Sequence, residues 1–243
     1  MSFYTLAHTM LNRALAKAGL RLIKYPPDPL NCRLRQIERA GVDLLLDVGA
    51  NEGQYARNMR RAGYRGEILS FEPNPAAFAT LDAHCRADPK WTARNCAVGD
   101  APGRLTLNIS ENSVSSSALP IGEVSLQAAP EARYVDRVEV DVIALAPIIA
   151  AYAGRAMMLK IDVQGYEPKV LAGCGEYLGN IAVLEAEMAM APTYRGQQTF
   201  EEVDAWIRDH GFRRVGFDYG FWNRQTGELL ELDGIYARAN VGG

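Results

Sequence analysis

The chain has 243 residues, 48% of them hydrophobic, enough to bury the core of one α/β domain. Its formal net charge of −3 lacks the basic excess of a nucleic-acid binder, and no apolar stretch approaches the ~18–20 residues that span a bilayer. The four cysteines, Cys32, Cys85, Cys96 and Cys174, form no Cys-x-x-Cys pair and read as reduced thiols of a cytoplasmic protein rather than a zinc site or a disulfide framework.

In chain order, residues 3–23 read as a helix, broken at Pro26-Pro27-Asp28-Pro29. A helix over 30–40 leads into a first strand at 43–48, followed by helix 53–62, strand 67–72, helix 75–87 and a strand near 92–98. Segments 103–109 and 137–142 look like further strands flanking a Ser-rich loop. A helix near 145–153 precedes a strand at 157–162, another helix follows at 166–177, and a strand at 181–187 comes next. Thr199-Phe200-Glu201-Glu202 is a capping-box pattern opening a helix that ends at Gly211. Residues 212–238 alternate as a terminal antiparallel pair would. Strands separated by helices imply an α/β fold: a mostly parallel sheet with helices on both faces. Residues 1–40 are then a helical extension and 41–243 the main domain.

Leu44-Leu45-Leu46-Asp47-Val48-Gly49-Ala50-Asn51-Glu52-Gly53 is the most informative stretch. An apolar run ends on an acid and turns at once into a loop of small residues. A second apolar run, Ile68-Leu69-Ser70-Phe71, also ends on an acid, Glu72. Two such strand ends make a nucleotide-type site at the edge of an open sheet. The loop is not the Gly-x-Gly-x-x-Gly of dinucleotide enzymes, which seats a pyrophosphate on a helix N-terminus. Carboxylates at Asp47 and Glu52 would repel phosphate and suit a cationic ligand. S-adenosylmethionine is such a ligand, and Glu72 suits its ribose diol as a two-oxygen acceptor. The plain alternative is a strand–turn–helix with solvated acids.

Four motifs then occur in order: Asp47-Val48-Gly49-Ala50-Asn51-Glu52-Gly53, Phe71-Glu72-Pro73-Asn74-Pro75, Asn95-Cys96-Ala97-Val98-Gly99-Asp100 and Leu159-Lys160-Ile161-Asp162-Val163-Gln164-Gly165-Tyr166-Glu167. Together they resemble the FkbM family of S-adenosylmethionine-dependent methyltransferases, over nearly the whole chain. The resemblance implies a Rossmann-like class I methyltransferase fold and O-methylation of sugars, glycolipids or related natural products. It implies a cofactor site made of Asp47, Gly49, Ala50, Asn51, Gly53 and Tyr55 around the methionine part. Glu72, Pro73 and Asn74 would lie at the ribose, and Asn95, Ala97 and Val98 near the adenine.

Alternation along the strand at 157–162 puts Lys160 and Asp162 on one face, with Asp162 at the carboxyl end, where ligands of open sheets bind. Charged groups in a central strand are costly unless paired. One reading is a structural ion pair; the other makes Asp162 the general base for an acceptor hydroxyl, tuned by Lys160. Glu185 and Glu187 repeat the pattern on the next strand, and Glu187 lies nearer the carboxyl end. The histidines His8, His84 and His210 sit at no strand end. The base is therefore a carboxylate, or the hydroxyl is activated by a divalent ion such as Mg²⁺ held by Asp162 and Glu187.

Two segments bear on the acceptor. Phe217, Tyr219, Phe221 and Trp222, with Tyr194 and Arg195, make either a wall for a sugar or lipid or part of the core. Residues 1–27 carry Arg13, Lys17, Arg21 and Lys24 and no acid, with an apolar stripe of Phe3, Ala7, Met10, Leu11, Ala14, Leu15 and Ala18 at helical spacing. That helix either docks on the domain or on a partner subunit in a homo-oligomer, or lies at a membrane surface and delivers a lipid-linked acceptor. The rival functions are an NAD-dependent oxidoreductase, for which the Asp47/Asn51 loop is wrong, and a binding module of the same fold.

Overall fold

All five positions of Leu44–Val48 (β1) are buried, as a central strand covered on both faces requires. The computed structural model describes residues 3–22, 25 and 27–239, and the side chains of residues 3–9 lie outside that description. Before β1 come helix α1 (Phe3–Ala16) and helix α2 (Asp28–Ala40). After it the chain runs through α3 (Gln54–Arg61), β2 (Glu67–Phe71), α4 (Pro75–Arg86), β3 (Trp91–Arg94), β4 (Ala97–Val98), β5 (Gly103–Ser110), α5 (Glu123–Ala128) and β6 (Tyr134–Ile143). The second half contains α6 (Ala146–Ala151), β7 (Met157–Ile161), α7 (Glu167–Ala172), β8 (Ile181–Ala189), α8 (Phe200–Asp209), β9 (Phe212–Tyr219) and β10 (Glu231–Arg238).

Seven strands form the main sheet in the order β3-β2-β1-β7-β8-β10-β9. The first five are parallel, and β10 inserts antiparallel between β8 and β9. This is the expected mostly parallel sheet with a terminal antiparallel pair. The order turns back between β1 and β7, so their carboxyl ends open a crevice at the switch point. One face of the sheet packs Leu46, Val48, Leu159 and Ile161 into the larger core, and the other packs Leu45, Met158 and Val183 under α2, α3 and α4. A second sheet, β4-β6-β5, flanks the crevice.

Four elements differ from the sequence expectation. The strand expected near 92–98 is two strands in different sheets, because Asn95 turns the chain and donates its side-chain amide to Glu72 O (2.8 Å) and Pro73 O (3.2 Å). The N-terminal helix stops at Ala16: Gly19 takes φ 70° and Leu20 N–H returns to Leu15 O at 3.0 Å, a glycine cap. Position 23 of the expected helix, with Lys24 and Pro26, lies outside the described residues. The helix expected over 166–177 ends at Ala172, and a tighter turn follows from Gly175, itself at φ 53°. The Ser-rich loop holds the short helix α5, whose six residues are too few for a periodic signal. α2 packs on the sheet through buried Arg33 and Ile37, so this part of the expected extension is joined to the main domain.

Candidate active site

Asp47, Lys160 and Glu185 lie in register across β1, β7 and β8, a row of three buried charges just below the carboxyl edge of the sheet. Burial of this kind is tolerable only when the charges are paired. Lys160 Nζ lies 3.7 Å from Asp47 Oδ1 and 3.3 Å from Asp162 Oδ2, and it donates to Gly49 O at 3.3 Å. Burial alone would lower the Lys160 pKa, but Asp162 and Asp47 outweigh it and hold the ammonium charged. Glu185 is held from the other side by Arg33, with Nε to Oε2 and Nη2 to Oε1 both at 2.6 Å, and by the Tyr55 hydroxyl at 2.9 Å.

Above this row opens a cleft of about 680 Å³. Its floor on one side is the β1 loop, where Gly49 adopts φ 76° and Asn51 φ 48°. A Cβ at Gly49 would lie 1.7 Å from Asp162 O, so the two strand ends meet too closely for any side chain there. Glu72 stands over this loop and accepts Asn51 N–H on one oxygen and Asn74 N–H on the other, each at 2.7 Å. Burial pushes its carboxyl up to about 7, against the pull of the two backbone amides. Each oxygen keeps a lone pair for a further donor from the cleft.

Of the residues expected around a cofactor, Gly49, Ala50, Asn51, Tyr55, Glu72, Pro73, Ala97 and Val98 line the cleft. Four do not. Asp47 is fully buried beneath the loop, accepting from Ser70 Oγ at 3.1 Å and facing Lys160. Gly53, at φ 84°, opens α3 against Trp91, whose ring a Cβ would meet at 2.7 Å. Asn74 caps α4 by accepting Ala76 N–H, and Asn95 ties the chain to the carbonyls after β2. These four shape the walls instead of forming them.

The opposite side of the cleft is carboxylate-rich. Lys160, Asp162 and Glu187 all reach it, as expected from their strand positions, whereas Glu185 lies beneath. Burial would raise the Asp162 pKa, but Lys160 and the Gln164 amide outweigh it and hold the carboxyl below its usual range. Burial and then the neighbouring Asp162, Glu231 and Asp233 push Glu187 far above the usual range. Glu231, raised to about 7, and Asp233, raised to about 8, owe their shifts first to burial as well.

Gln164 is the residue that sequence reasoning passed over. Its Nε2 donates to Asp162 Oδ1 at 2.9 Å and to Glu187 Oε2 at 2.6 Å. Its backbone sits at φ 56°, unusual for a side-chain-bearing residue and a mark of local strain. Glu231 and Asp233 were also missed; two acids two apart in the last strand were the available signal. Among the described residues no three His, Cys, Asp or Glu side chains converge as metal ligands. Between Asp162 and Glu187 stands an amide, with an ammonium beside them. The magnesium site expected there does not fit this donor set. No described histidine side chain reaches the cleft: His84 meets Arg57 and Trp91, and His210 stacks on Trp206.

The aromatic wall is divided. Phe221 and Tyr194 line the cleft, Phe217 packs edge-on to Phe200 in the core, and Tyr219 and Trp222 stand exposed beside the cleft as an edge-to-face pair at 6.2 Å. Ser113, Ser115 and Ser116 of the Ser-rich loop close the far side.

Comparison with known proteins agrees with this architecture. The model of the methyltransferase FkbM domain matches residues 47–214. The 31-O-demethyl-FK506 methyltransferase FkbM of Streptomyces tacrolimicus is 27% identical over 207 residues, covering 76% of this chain and 78% of that protein. Methyltransferase sdnD of Sordaria araneosa is 24% identical over 192 residues, covering 69% and 73%. A solved FkbM methyltransferase of Methylobacillus flagellatus superposes with a TM-score of 0.50 at 14% identity. That match covers 79% of this chain but only 43% of the solved protein, so the chain spans less than half its length.

Proposed function

The chain belongs to the FkbM family of methyltransferases, and from that premise we propose that it transfers a methyl group from S-adenosylmethionine to a hydroxyl of a sugar, glycolipid or related natural product. The observation that carries this reading is the pairing, across one cleft, of Glu72 with an ionised Asp162 braced by Lys160. Glu72 would offer its two oxygens to the ribose diol, and the Gly49–Asn51 loop, which lines the same cleft, would seat the rest of the cofactor. An oxygen acceptor fits the name of one relative, the 31-O-demethyl-FK506 methyltransferase FkbM of Streptomyces tacrolimicus.

In the step itself the acceptor oxygen bonds to the methyl carbon as the sulfur–carbon bond breaks, and the electron pair stays on sulfur as S-adenosylhomocysteine forms. The hydroxyl proton passes to Asp162. A sulfonium methyl is already activated, so in-line positioning supplies the larger share, on the order of 7–11 kcal/mol, and the base adds about 10²–10⁴-fold. Lys160 holds the Asp162 carboxyl below its usual range against the pull of burial, which favours the ionised form that accepts from the acceptor hydroxyl. Neither the ion pair nor the cleft calls for a metal in this step.

Titration calorimetry with S-adenosylhomocysteine and, in parallel, NAD tests the cofactor half. Binding of S-adenosylhomocysteine with no heat from NAD is the expected outcome; the reverse overturns the reading. Methyl transfer from labelled S-adenosylmethionine to a panel of hydroxylated and amino-bearing glycans tests the acceptor half, and labelling confined to nitrogen would contradict O-methylation.

A further inference from the structure

α2 ends at Ala40 and the chain enters β1 at Leu44, so the helix runs antiparallel to that strand and its N-terminus lies at the carboxyl edge of the sheet, where the cleft opens. Arg33 confirms the placement: it donates to Asp218 at 2.9 Å and lies 3.8 Å from Asp233, which lines the cleft. The segment preceding α2 is therefore tethered at the mouth.

That segment is cationic and apolar on its surface. Arg13, Lys17 and Arg21 are exposed, and residues 1–27 contain no Asp or Glu. Met10, Leu11, Leu20, Leu22 and Tyr25 are exposed as well, with Met10 at 64% and Tyr25 at 62%. Past the glycine cap of α1 the chain folds back, and Asn12 clasps Leu22, donating to its carbonyl at 3.0 Å and accepting its N–H at 2.6 Å.

Other exposed large hydrophobics stand at the carboxyl edge of the sheet. Val114 lines the cleft, Met190 follows the carboxyl end of β8, and Tyr219 and Trp222 flank the cleft-lining Gly220 and Phe221. Exposed apolar side chains of this kind suit an interaction site. Cations with aliphatic side chains in a segment joined to this edge through α2, and a Tyr/Trp pair at the edge itself, are the chemistry of an anionic lipid–water interface.

We infer that the cleft edge of this protein docks on an anionic membrane, with segment 10–25 supplying the charge and Tyr219 and Trp222 entering the headgroup layer. The cleft then opens toward the bilayer, and the acceptor is a lipid-anchored glycan presenting its hydroxyl at the surface. The acceptor part rests on the methyltransferase reading above; the docking does not.

Flotation of the full chain with vesicles of phosphatidylcholine alone, or containing one-third phosphatidylglycerol, separates the two. Co-flotation with the anionic vesicles only, weakening with salt, is expected. Replacing Arg13, Lys17 and Arg21 together by Gln should lower partitioning roughly a hundredfold, from the usual contribution of each cation near such a surface. The same variant should bind S-adenosylhomocysteine unchanged. Vesicles with brominated acyl chains should quench a Trp222 contribution that Trp222→Phe removes, Trp91 being buried and Trp206 half-buried and stacked on His210. Absence of the wild-type chain from the anionic vesicles, equal flotation of the Gln variant, or no quenching from Trp222 would each overturn the docking. Flotation without S-adenosylhomocysteine binding would instead overturn the methyltransferase reading and leave the docking standing.

Discussion

The Tyr194 hydroxyl lies 2.7 Å from Gln164 Oε1 and 3.2 Å from Ser115 O, so it meets both the amide and the Ser-rich loop. The Gln164 amide nitrogen faces Asp162 and Glu187, whose oxygens accept from it. The Gln164 carbonyl in turn accepts from Ser117 Oγ at 2.7 Å, so the strained left-handed turn is held from the Ser-rich loop as well. The Ser-rich loop, the aromatic wall and both acidic side chains are thus joined through one residue.

Gln164→Ala removes the amide while leaving Lys160 beside Asp162. S-adenosylhomocysteine affinity should stay within about twofold, and kcat should fall by about 10²-fold, the scale of a reacting group displaced by ~1 Å. Gln164→Glu puts a further titrating carboxyl between Asp162 and a Glu187 already raised far above its usual range. Its pH–rate profile should therefore shift relative to wild type, whereas a purely structural role for Gln164 would lower the rate at every pH alike.

Asp162→Asn tests the base directly. Glu72 and the β1 loop are untouched, so cofactor affinity should persist while turnover falls by ~10²–10⁴-fold. Single-turnover kinetics with the true acceptor would measure it, and full activity would remove Asp162 from the role of base.

Glu72 gives the proposed cofactor site a pH dependence of definite sign. Its carboxyl is raised from 4.5 to about 7 by burial, so the folded apo protein holds a proton there that the unfolded chain has lost. Stability from this group is greatest below about 4.5 and declines as pH rises through about 7. Ribose hydroxyls donate to the ionised form, so S-adenosylhomocysteine affinity should increase from pH 6 toward 8, with proton release on binding at the lower pH. Calorimetry at pH 6 in two buffers of different ionisation enthalpy would count that proton. Glu72→Gln should flatten the pH dependence and weaken binding about 10–100-fold, the scale of hydrogen bonds to a charged acceptor.

Much of the site was legible because its parts are local. Asp47, Glu72, Asp162 and Glu187 each stand at or near the end of an apolar run, and period-two alternation correctly put Lys160 beside Asp162. What sequence could not give was which neighbours in a motif face the cleft. Asp47, Gly53, Asn74 and Asn95 sit in the same motifs as lining residues, yet their turns send them behind the wall. Glu231 and Asp233 join the site only because β10 inserts between β8 and β9 and sets Asp233 opposite Glu187, a long-range register with no local signature. Gln164 needed Tyr194, thirty residues away, to acquire its meaning.

The last prediction concerns the support beneath the site. Arg33 forks onto Glu185 with two bonds of 2.6 Å, and both side chains are nearly inaccessible. Removing one partner of such a pair strands a buried charge, so Arg33→Met should destabilise the fold by about 3–5 kcal/mol in denaturant titration. Removing both charges together is a different experiment, because Arg33→Met with Glu185→Leu leaves no charge of that pair to solvate, and most of the stability should return. Function need not return with it. Glu185 also accepts from Tyr55, whose ring lies 5.3 Å from Lys160 Nζ and lines the cleft. In the double variant Tyr55 loses that anchor, and Lys160 loses the neighbouring carboxylate in its row. Recovered stability with weakened cofactor binding would assign the Arg33–Glu185 pair to holding the cleft floor; full recovery of both would make it a matter of folding alone.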